Sequence, residues 1–376
     1  MVTTPERHHL NVAIVAPSLR ILGGQAVQAD RLLRAWTGDP DVRAWLVPVN
    51  PIPAGPFRHL LRLKYVRTLA TQLTYWPLLV RELRHADVVH VFSASYFSFL
   101  LAPLPAVIVA RLLGKPVVMN YRSGEAPDHL SKSPTARATL RSVDRNAVPS
   151  RFLHDVFAGF GIDSEVIPNI VDLNRFAFRS REPLQPRVLS TRNFEDLYNV
   201  ACTLRTFHLV QQRYPQASLT LVGAGSQEQA LRSLAATLGL RNVRFTGSVA
   251  PSEIWRYYAE ADIYLQTPNI DNMPSSVLEA FASGCAVVST NAGGVPAILT
   301  DEAHGLLFEC DDHEAAAACI FRLLEDSRLA SRLTSAARDT CEQYRWDRVR
   351  SQWLSLYRGM MRARTHPARF ASQTRL

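Results

Sequence analysis

The chain has 376 residues, 47% of them hydrophobic and 20% charged. That is too long for one ordinary core and too apolar for disorder, so two domains of roughly 170–190 residues each are expected. Net charge is +9, from 42 basic and 33 acidic residues, and only three of the basic residues are lysines. Arginine's planar fork suits phosphates and carboxylates, which points to anionic ligands or an anionic membrane surface, unless the bias is purely compositional.

In chain order, the opening MVTTPERHHLNVAIVAP lacks a long apolar core before a small-residue cleavage site, so no secretory leader is expected. Strands are predicted at Asn11–Ala16, Val88–Phe92, Pro116–Asn120, Asn146–Pro149 and Glu165–Ile167. Between the first two lies Phe57–Arg84, where leucines and aromatics recur at helical spacing among arginines and lysines, with no acid before Glu82. Such a helix either lies on anionic lipid or packs on the first sheet with a solvated basic face. The apolar run Tyr96–Leu113 is broken by Pro103, Pro105 and Arg111, which argues against a membrane span. Charges and two prolines gather at Asn174–Arg187, the expected linker.

Strands resume at Arg187–Ser190, Ser218–Val222, Val243–Phe245, Asp262–Gln266, Ala286–Ser289 and Gly305–Phe308, with helices predicted at Val200–Tyr214 and Ser226–Leu238. Strands bounded by helices and buried on both faces imply parallel sheets in an α/β architecture. The expected division is 1–175, 187–345 and a terminal segment 346–376. That segment opens with a helix carrying Trp346, Val349, Trp353, Leu354 and Tyr357 on one side, expected to pack back on the first domain, and the tail beyond Arg362 is polar. Cys202, Cys285, Cys310, Cys319 and Cys341 are scattered without a Cys-x-x-Cys pair, which suits a reducing, cytoplasmic setting and not a zinc site. Asp311-Asp312-His313 reads as a helix cap, and no metal site is expected.

Two segments carry candidate chemistry. Gly23-Gly24 follows the opening strand and precedes a helix, where backbone amides can approach an anion; an ordinary glycine turn is the alternative. The spacing is not G-x-G-x-x-G, which disfavours a nicotinamide dinucleotide. The more specific segment is Gln266 to Gly284. A strand ends, a polar loop carries Asp271 and Asn272, and Pro274 suits the first turn of a helix. Amides around Met273, Pro274, Ser275 and Ser276 would form an anion site, with Glu279 farther along the helix. Leu278, Ala280 and Phe281 suggest that Glu279 is buried and needs a partner, the alternative being a solvated helix face.

The chain resembles glycosyltransferase family 4, retaining nucleotide-sugar transferases of GT-B fold. The likeness rests on Asp271…Glu279 eight positions apart and on Val287–Pro296, Leu221-Val222-Gly223-Ala224-Gly225, Val243–Gly247 and His304–Phe308. Gly23-Gly24, Asp87–Val91 and Ile167–Asp172 fit the same scheme in the first half. The resemblance implies two Rossmann-like domains facing each other across a cleft, the first binding the acceptor and the second the nucleotide-sugar. It implies that Glu279 binds the ribose hydroxyls and that Asp271 contacts the donor sugar's hydroxyls or helps polarise its leaving group. Arg192 would clamp the diphosphate, Gly23 and Gly24 would approach the diphosphate or the acceptor from the opposite domain, and Val249 would lie beside the base.

Three departures stand out. Tyr198 takes the place of a usual lysine, Arg122 stands where many relatives have histidine, and Asp271 replaces glutamate. Arginine at position 122 can hold an anion but cannot act as a base. The expected activity is retaining transfer by same-face attack from a nucleotide-diphospho-sugar, a substrate and not a cofactor, to a polysaccharide, lipid-linked or small-molecule acceptor. The expected setting is cytoplasmic, with peripheral contact to anionic membrane and no nucleic-acid partner. The departures leave a second reading, a catalytically weakened protein that binds a sugar nucleotide or a partner subunit.

Overall fold

The computed structural model describes residues 9–20, 23–51 and 64–365. Residues 1–8, Ile21-Leu22 of the glycine loop, residues 52–63 with the start of the basic stretch, and the tail from 366 lie outside the described residues. The chain divides into two compact units, Met1–Pro168 with Asp347–Leu376, and Asn169–Trp346.

The first unit is built on β1 (Leu10–Ala16), β2 (Val42–Pro48), β3 (Val88–Phe92), β4 (Val117–Asn120), β5 (Arg145–Val148) and β6 (Glu165–Val166). They form one parallel sheet in the order β2-β1-β3-β4-β5-β6. Every residue of β3 and β4 is buried, as near-continuous apolar runs demand of strands covered on both faces. β2 is absent from the sequence reading because it is an edge strand. Its run Ala44-Trp45-Leu46-Val47 is apolar but short, lying between Pro48 and exposed Arg43, and Ala44, Trp45 and Leu46 are only half-buried. Right-handed crossovers put helices Lys64–Leu83 and Pro103–Leu112 side by side on one face of the sheet and helix Gly24–Ala35 on the other. The terminal helix Trp346–Thr365 joins Gly24–Ala35, with Tyr357 against Trp36 at 6.1 Å between rings. Arg350 fastens it by hydrogen bonds to Asp39 at 2.6 and 2.9 Å and to Asp41 at 2.6 Å.

Helix Lys64–Leu83 packs on the first sheet, as the second of the two expectations has it, but the face it turns to solvent is not only basic. Tyr75, Leu79 and Leu83 are fully buried, while Leu69, Leu73, Trp76 and Val80 are exposed. At 100° per residue those four fall within about 60° of one another, a second apolar stripe turned to solvent.

The second unit holds β7 (Arg187–Ser190), β8 (Ser218–Leu221), β9 (Val243–Phe245), β10 (Ile263–Gln266), β11 (Ala286–Thr290) and β12 (Leu306–Phe308), all parallel, ordered β12-β11-β10-β7-β8-β9. It begins earlier than the charged stretch near Arg187. Asn169 already donates to the Met273 carbonyl at 2.7 Å, Val171 N–H donates to the Tyr344 carbonyl, and Phe176 is buried. The charges of Asn174–Arg187 do not mark a solvated linker either. Arg179, Arg181 and Arg187 converge on Asp262, which is 1% exposed at the amino end of β10, at 2.7, 3.3 and 3.0 Å. A carboxylate so buried requires such partners.

Candidate functional site

In each sheet the strand order reverses once, between β1 and β3 and between β7 and β10. Loops leaving the carboxyl ends of strands diverge there and open a crevice, the usual ligand position in doubly wound sheets. The predicted residues of the second unit gather at its reversal. Arg192 follows β7 and Asp271 follows β10, and the two side chains form an ion pair. Both are largely enclosed, at 10% and 15% exposure, so the pair is screened little by water. Arg192 Nη1 also donates to Ser276 Oγ at 3.2 Å, and its guanidinium lies over the Tyr198 ring, 4.3 Å from the centroid. Burial is the largest single influence and works against the charged form of Arg192, yet the charge and hydrogen bond of Asp271 together with Tyr198 and Tyr264 outweigh it and the pKa is raised. The Nε–H of Arg192 is buried with no hydrogen-bond partner among the described residues, a donor turned inward without an acceptor.

Polar groups line the same strand ends. Ser276 Oγ donates to Gln266 Oε1 at 3.4 Å, and Gln266 Nε2 donates to Ser289 Oγ at 2.9 Å. Thr191 Oγ1 shares hydrogens with the hydroxyls of Tyr258 and Tyr264 at 2.8 and 3.2 Å. Burial, and then the charge of Glu279, push the Tyr258 phenol well above its ordinary pKa. Glu279 is therefore no solvated surface acid: it is 6% exposed in helix Ser275–Ser283, whose residues from Ser276 onward are all buried.

Pro274 is the N-cap of this helix and not its first-turn residue, and no side chain caps the helix. Having no N–H, Pro274 cannot donate to an anion. Met273 is buried in the apolar cluster, with its carbonyl occupied by Asn169. The first turn thus offers half-buried Ser275 and buried Ser276, not the whole run from Met273. Asn272 N–H donates to Asp271 Oδ1 at 2.8 Å and fixes the carboxylate's orientation. Val249, half-buried, packs against the same apolar cluster.

Two glycines missed as site elements hold these loops. A Cβ on Gly223 would overlap the Arg192 carbonyl, and one on Gly294 would overlap the carbonyl of Asn272. Gly294 N–H donates to the Asp271 carbonyl at 3.0 Å. Loops after β8 and β11 therefore brace the Arg192 and Asp271 loops from either side. The strand-then-glycine pattern is visible in the sequence, but which backbone it approaches is set by strand order.

In the first unit, Gly23 caps helix Gly24–Ala35 in extended conformation, and a Cβ on Gly23 or Gly24 meets nothing within 4 Å. Packing among the described residues does not demand glycine at either position. Arg122, after β4, donates its backbone N–H to Ser93 Oγ at 3.1 Å and donates from Nη1 to Asn120 Oδ1 at 3.0 Å. Its guanidinium lies 5.5 Å from the Phe92 ring centroid, and burial draws its pKa down to about 9. Among the described residues no group of three or more potential metal ligands occurs, and Asp312 caps its helix by accepting from Ala315 N–H at 2.8 Å.

Comparison with known proteins places this geometry. Residues 174–340 match the family model for Glycosyl transferases group 1, and residues 22–175 match Glycosyltransferase Family 4. The phosphatidyl-myo-inositol mannosyltransferase of Mycobacterium tuberculosis is 31% identical over 290 residues, 72% of this chain and 73% of that protein. Sulfoquinovosyl transferase SQD2 of Arabidopsis thaliana is 25% identical over 312 residues, 75% of this chain but only 59% of its own length. Anabaena HepE, solved with UDP and glucose, superposes with a TM-score of 0.75 over 93% of this chain and 100% of that one at 18% identity. Sucrose-phosphate synthase of Thermosynechococcus elongatus superposes at 0.73 over 94% and 100%, also at 18% identity. With two Rossmann-like units of the GT-B type and a mannosyltransferase relative this similar over most of both chains, the chain belongs to the group 1, family 4 glycosyltransferases.

Proposed function

We propose that the chain transfers a hexosyl group from a nucleotide-diphospho-sugar to an acceptor with retention of configuration. The buried Arg192–Asp271 pair at the β7/β10 reversal, beside Ser275, Ser276 and the enclosed Glu279, is the observation that carries this reading. Breaking the bond between sugar and phosphate leaves charge on the departing diphosphate, which a preorganised guanidinium and helix N-terminus stabilise. Arg192 and the amides of Ser275 and Ser276 take that role, Glu279 holds the ribose, and Asp271 contacts the donor sugar. The leaving phosphate accepts the acceptor's proton on the face it departs, which yields retention without a protein nucleophile. In the first unit, Arg122 holds an anionic substrate group and the Gly23-Gly24 turn admits one against its backbone.

A lipid-borne acceptor is supported by two relatives whose names specify transfer to phosphatidylinositol species. The exposed stripe Leu69, Leu73, Trp76 and Val80, with Arg81 and Arg84 at its end and Ile108, Arg111 and Leu112 on the neighbouring helix, suits peripheral contact with an anionic membrane from the cytoplasmic side. No helix among the described residues is long and apolar enough to cross a membrane.

Thermal-shift screening against UDP, GDP, UDP-glucose and GDP-mannose tests the donor assignment, since a donor that binds the folded state raises the melting temperature. Hydrolysis of the stabilising donor then separates an enzyme from a binding protein; no shift with any of the four overturns the assignment. Cosedimentation with phosphatidylglycerol vesicles at low salt is expected and should be lost in Leu73→Asp/Trp76→Asp. Unchanged sedimentation of that variant removes the membrane reading.

A further inference from the structure

His90 lies in the middle of β3, fully buried, and the proposed chemistry gives it no role. Its ring is held by Trp353 at 4.6 Å and Phe92 at 5.2 Å between centroids. Both ring nitrogens have partners: Nδ1 meets Tyr357 Oη at 2.7 Å, and Nε2 meets Asn120 Nδ2 at 3.0 Å. Asn120 in turn accepts from Arg122 Nη1.

The direction of every bond in this chain follows from one fact: a guanidinium can only donate. Arg122 Nη1 therefore requires the amide oxygen of Asn120, which turns Nδ2 and its hydrogens toward His90. Nε2 must then be the lone-pair nitrogen, and the proton sits on Nδ1, donated to Tyr357. Four groups are thus locked in one polarity, Arg122→Asn120→His90→Tyr357, across two adjacent strands and the terminal helix. The neutral imidazole this needs agrees with burial, which pulls the His90 pKa down to about 3, with the nearby Arg122 charge adding to the effect.

We infer that Tyr357 is a positioning residue for Arg122, acting through His90 and Asn120, so that the terminal helix sets the orientation of the anion-binding guanidinium. This rests on the proposed anion-binding role of Arg122 only for its consequence in turnover; the hydrogen-bond chain itself is independent of that role. Without the Tyr357 hydroxyl, the Nδ1 proton of His90 loses its acceptor, while the tautomer, set from the Arg122 end, stays as it is. The ring then lacks the bond that fixes its orientation and meets the Asn120 amide less squarely. The guanidinium, aimed through Asn120 Oδ1, loses its fixed place. Cooperative chains of this kind transmit a change at one end to the other.

Nitrogen NMR of 15N-histidine- and 15N-arginine-labelled full-length protein tests the chain, with Tyr357→Phe as a variant that keeps the ring packing. The wild-type protein is expected to show His90 protonated at Nδ1. In Tyr357→Phe the proton stays on Nδ1 but its resonance shifts as the hydrogen bond is lost, the Arg122 guanidinium signals shift, and hydrolysis of UDP-glucose or GDP-mannose slows at least about fivefold with KM within about twofold. A wild-type His90 protonated at Nε2, or unshifted Arg122 signals in Tyr357→Phe, overturns the inference. Arg122→Ala separates the two claims. If that variant hydrolyses donor at the wild-type rate, the role of Arg122 fails while the tautomer result still decides the chain. If it is impaired and Tyr357→Phe is not, the positioning role fails alone.

Discussion

Two arginines stand after carboxyl strand ends, one in each unit, and they are held in opposite ways. Arg192 has its charge matched in place by Asp271 and covered by the Tyr198 ring, and its pKa is raised. Arg122 is held by a neutral amide and the face of Phe92, and burial lowers its pKa to about 9. A guanidinium already paired is fixed in geometry but must be shared between its carboxylate and any incoming phosphate. One held by neutral partners keeps its attraction for an anion and depends on hydrogen bonds for its aim. The difference teaches that Arg192 should be sensitive to what touches it directly, and Arg122 to what lies behind it.

The largest effects should come from the Arg192 side. Arg192→Ala is expected to lower donor turnover by about 10²–10³-fold, the usual loss when a preorganised donor to developing charge is removed. Glu279→Ala should instead raise KM for the donor, measured in the same steady-state assay. Wild-type kinetics in both variants would erase the contrast between the two arginines.

Next comes the brace. Gly294→Ala puts a methyl group on the Asn272 carbonyl and should displace the Asp271 loop, lowering both donor turnover and the melting temperature. Gly23→Ala, with open space around the new atom, should leave the melting temperature unchanged. Equal thermal effects would mean that the second-unit loops are not braced as described.

A smaller change should follow at Tyr198. Tyr198→Leu removes the ring beneath Arg192, where an enclosed cation–π contact is worth about 2 kcal/mol, so donor use should fall up to about thirtyfold. Tyr198→Phe keeps the ring and should stay near wild type. A lysine-like role, by contrast, would make both changes equally harmful.

A pH effect of a different kind, on stability and not on turnover, comes from behind Arg122. His90 titrates near 6.5 when unfolded but near 3 when folded, so above pH 6.5 it contributes no slope. As pH falls from 6.5 toward 3 the unfolded chain takes up a proton the folded one refuses, and stability declines. His129 and His304, also lowered by burial, act in the same direction. His90→Gln should flatten the decline of melting temperature below pH 6.5 without abolishing it.

Much of this organisation is legible in the sequence, because buried parallel strands write themselves as apolar runs and the Asp271–Glu279 spacing survives inside one loop and helix. β2 is not legible, since an edge strand alternates weakly. Nor is the convergence of Arg179, Arg181 and Arg187 on Asp262, which looks like a solvated charge run until strand order brings β10 beneath it. Tyr198 is legible as a substitution for lysine but not as a platform for Arg192. The Tyr357–His90 bond joins residues 267 positions apart, and no local pattern announces it.

Calorimetric titration of UDP and GDP into the full-length protein, the Arg192→Ala variant and the Glu279→Ala variant tests the donor assignment most directly. The account predicts saturable binding of at least one nucleotide to the wild-type protein, weakened at least about tenfold in each variant while the unliganded proteins remain folded. Equal affinity in all three would contradict it.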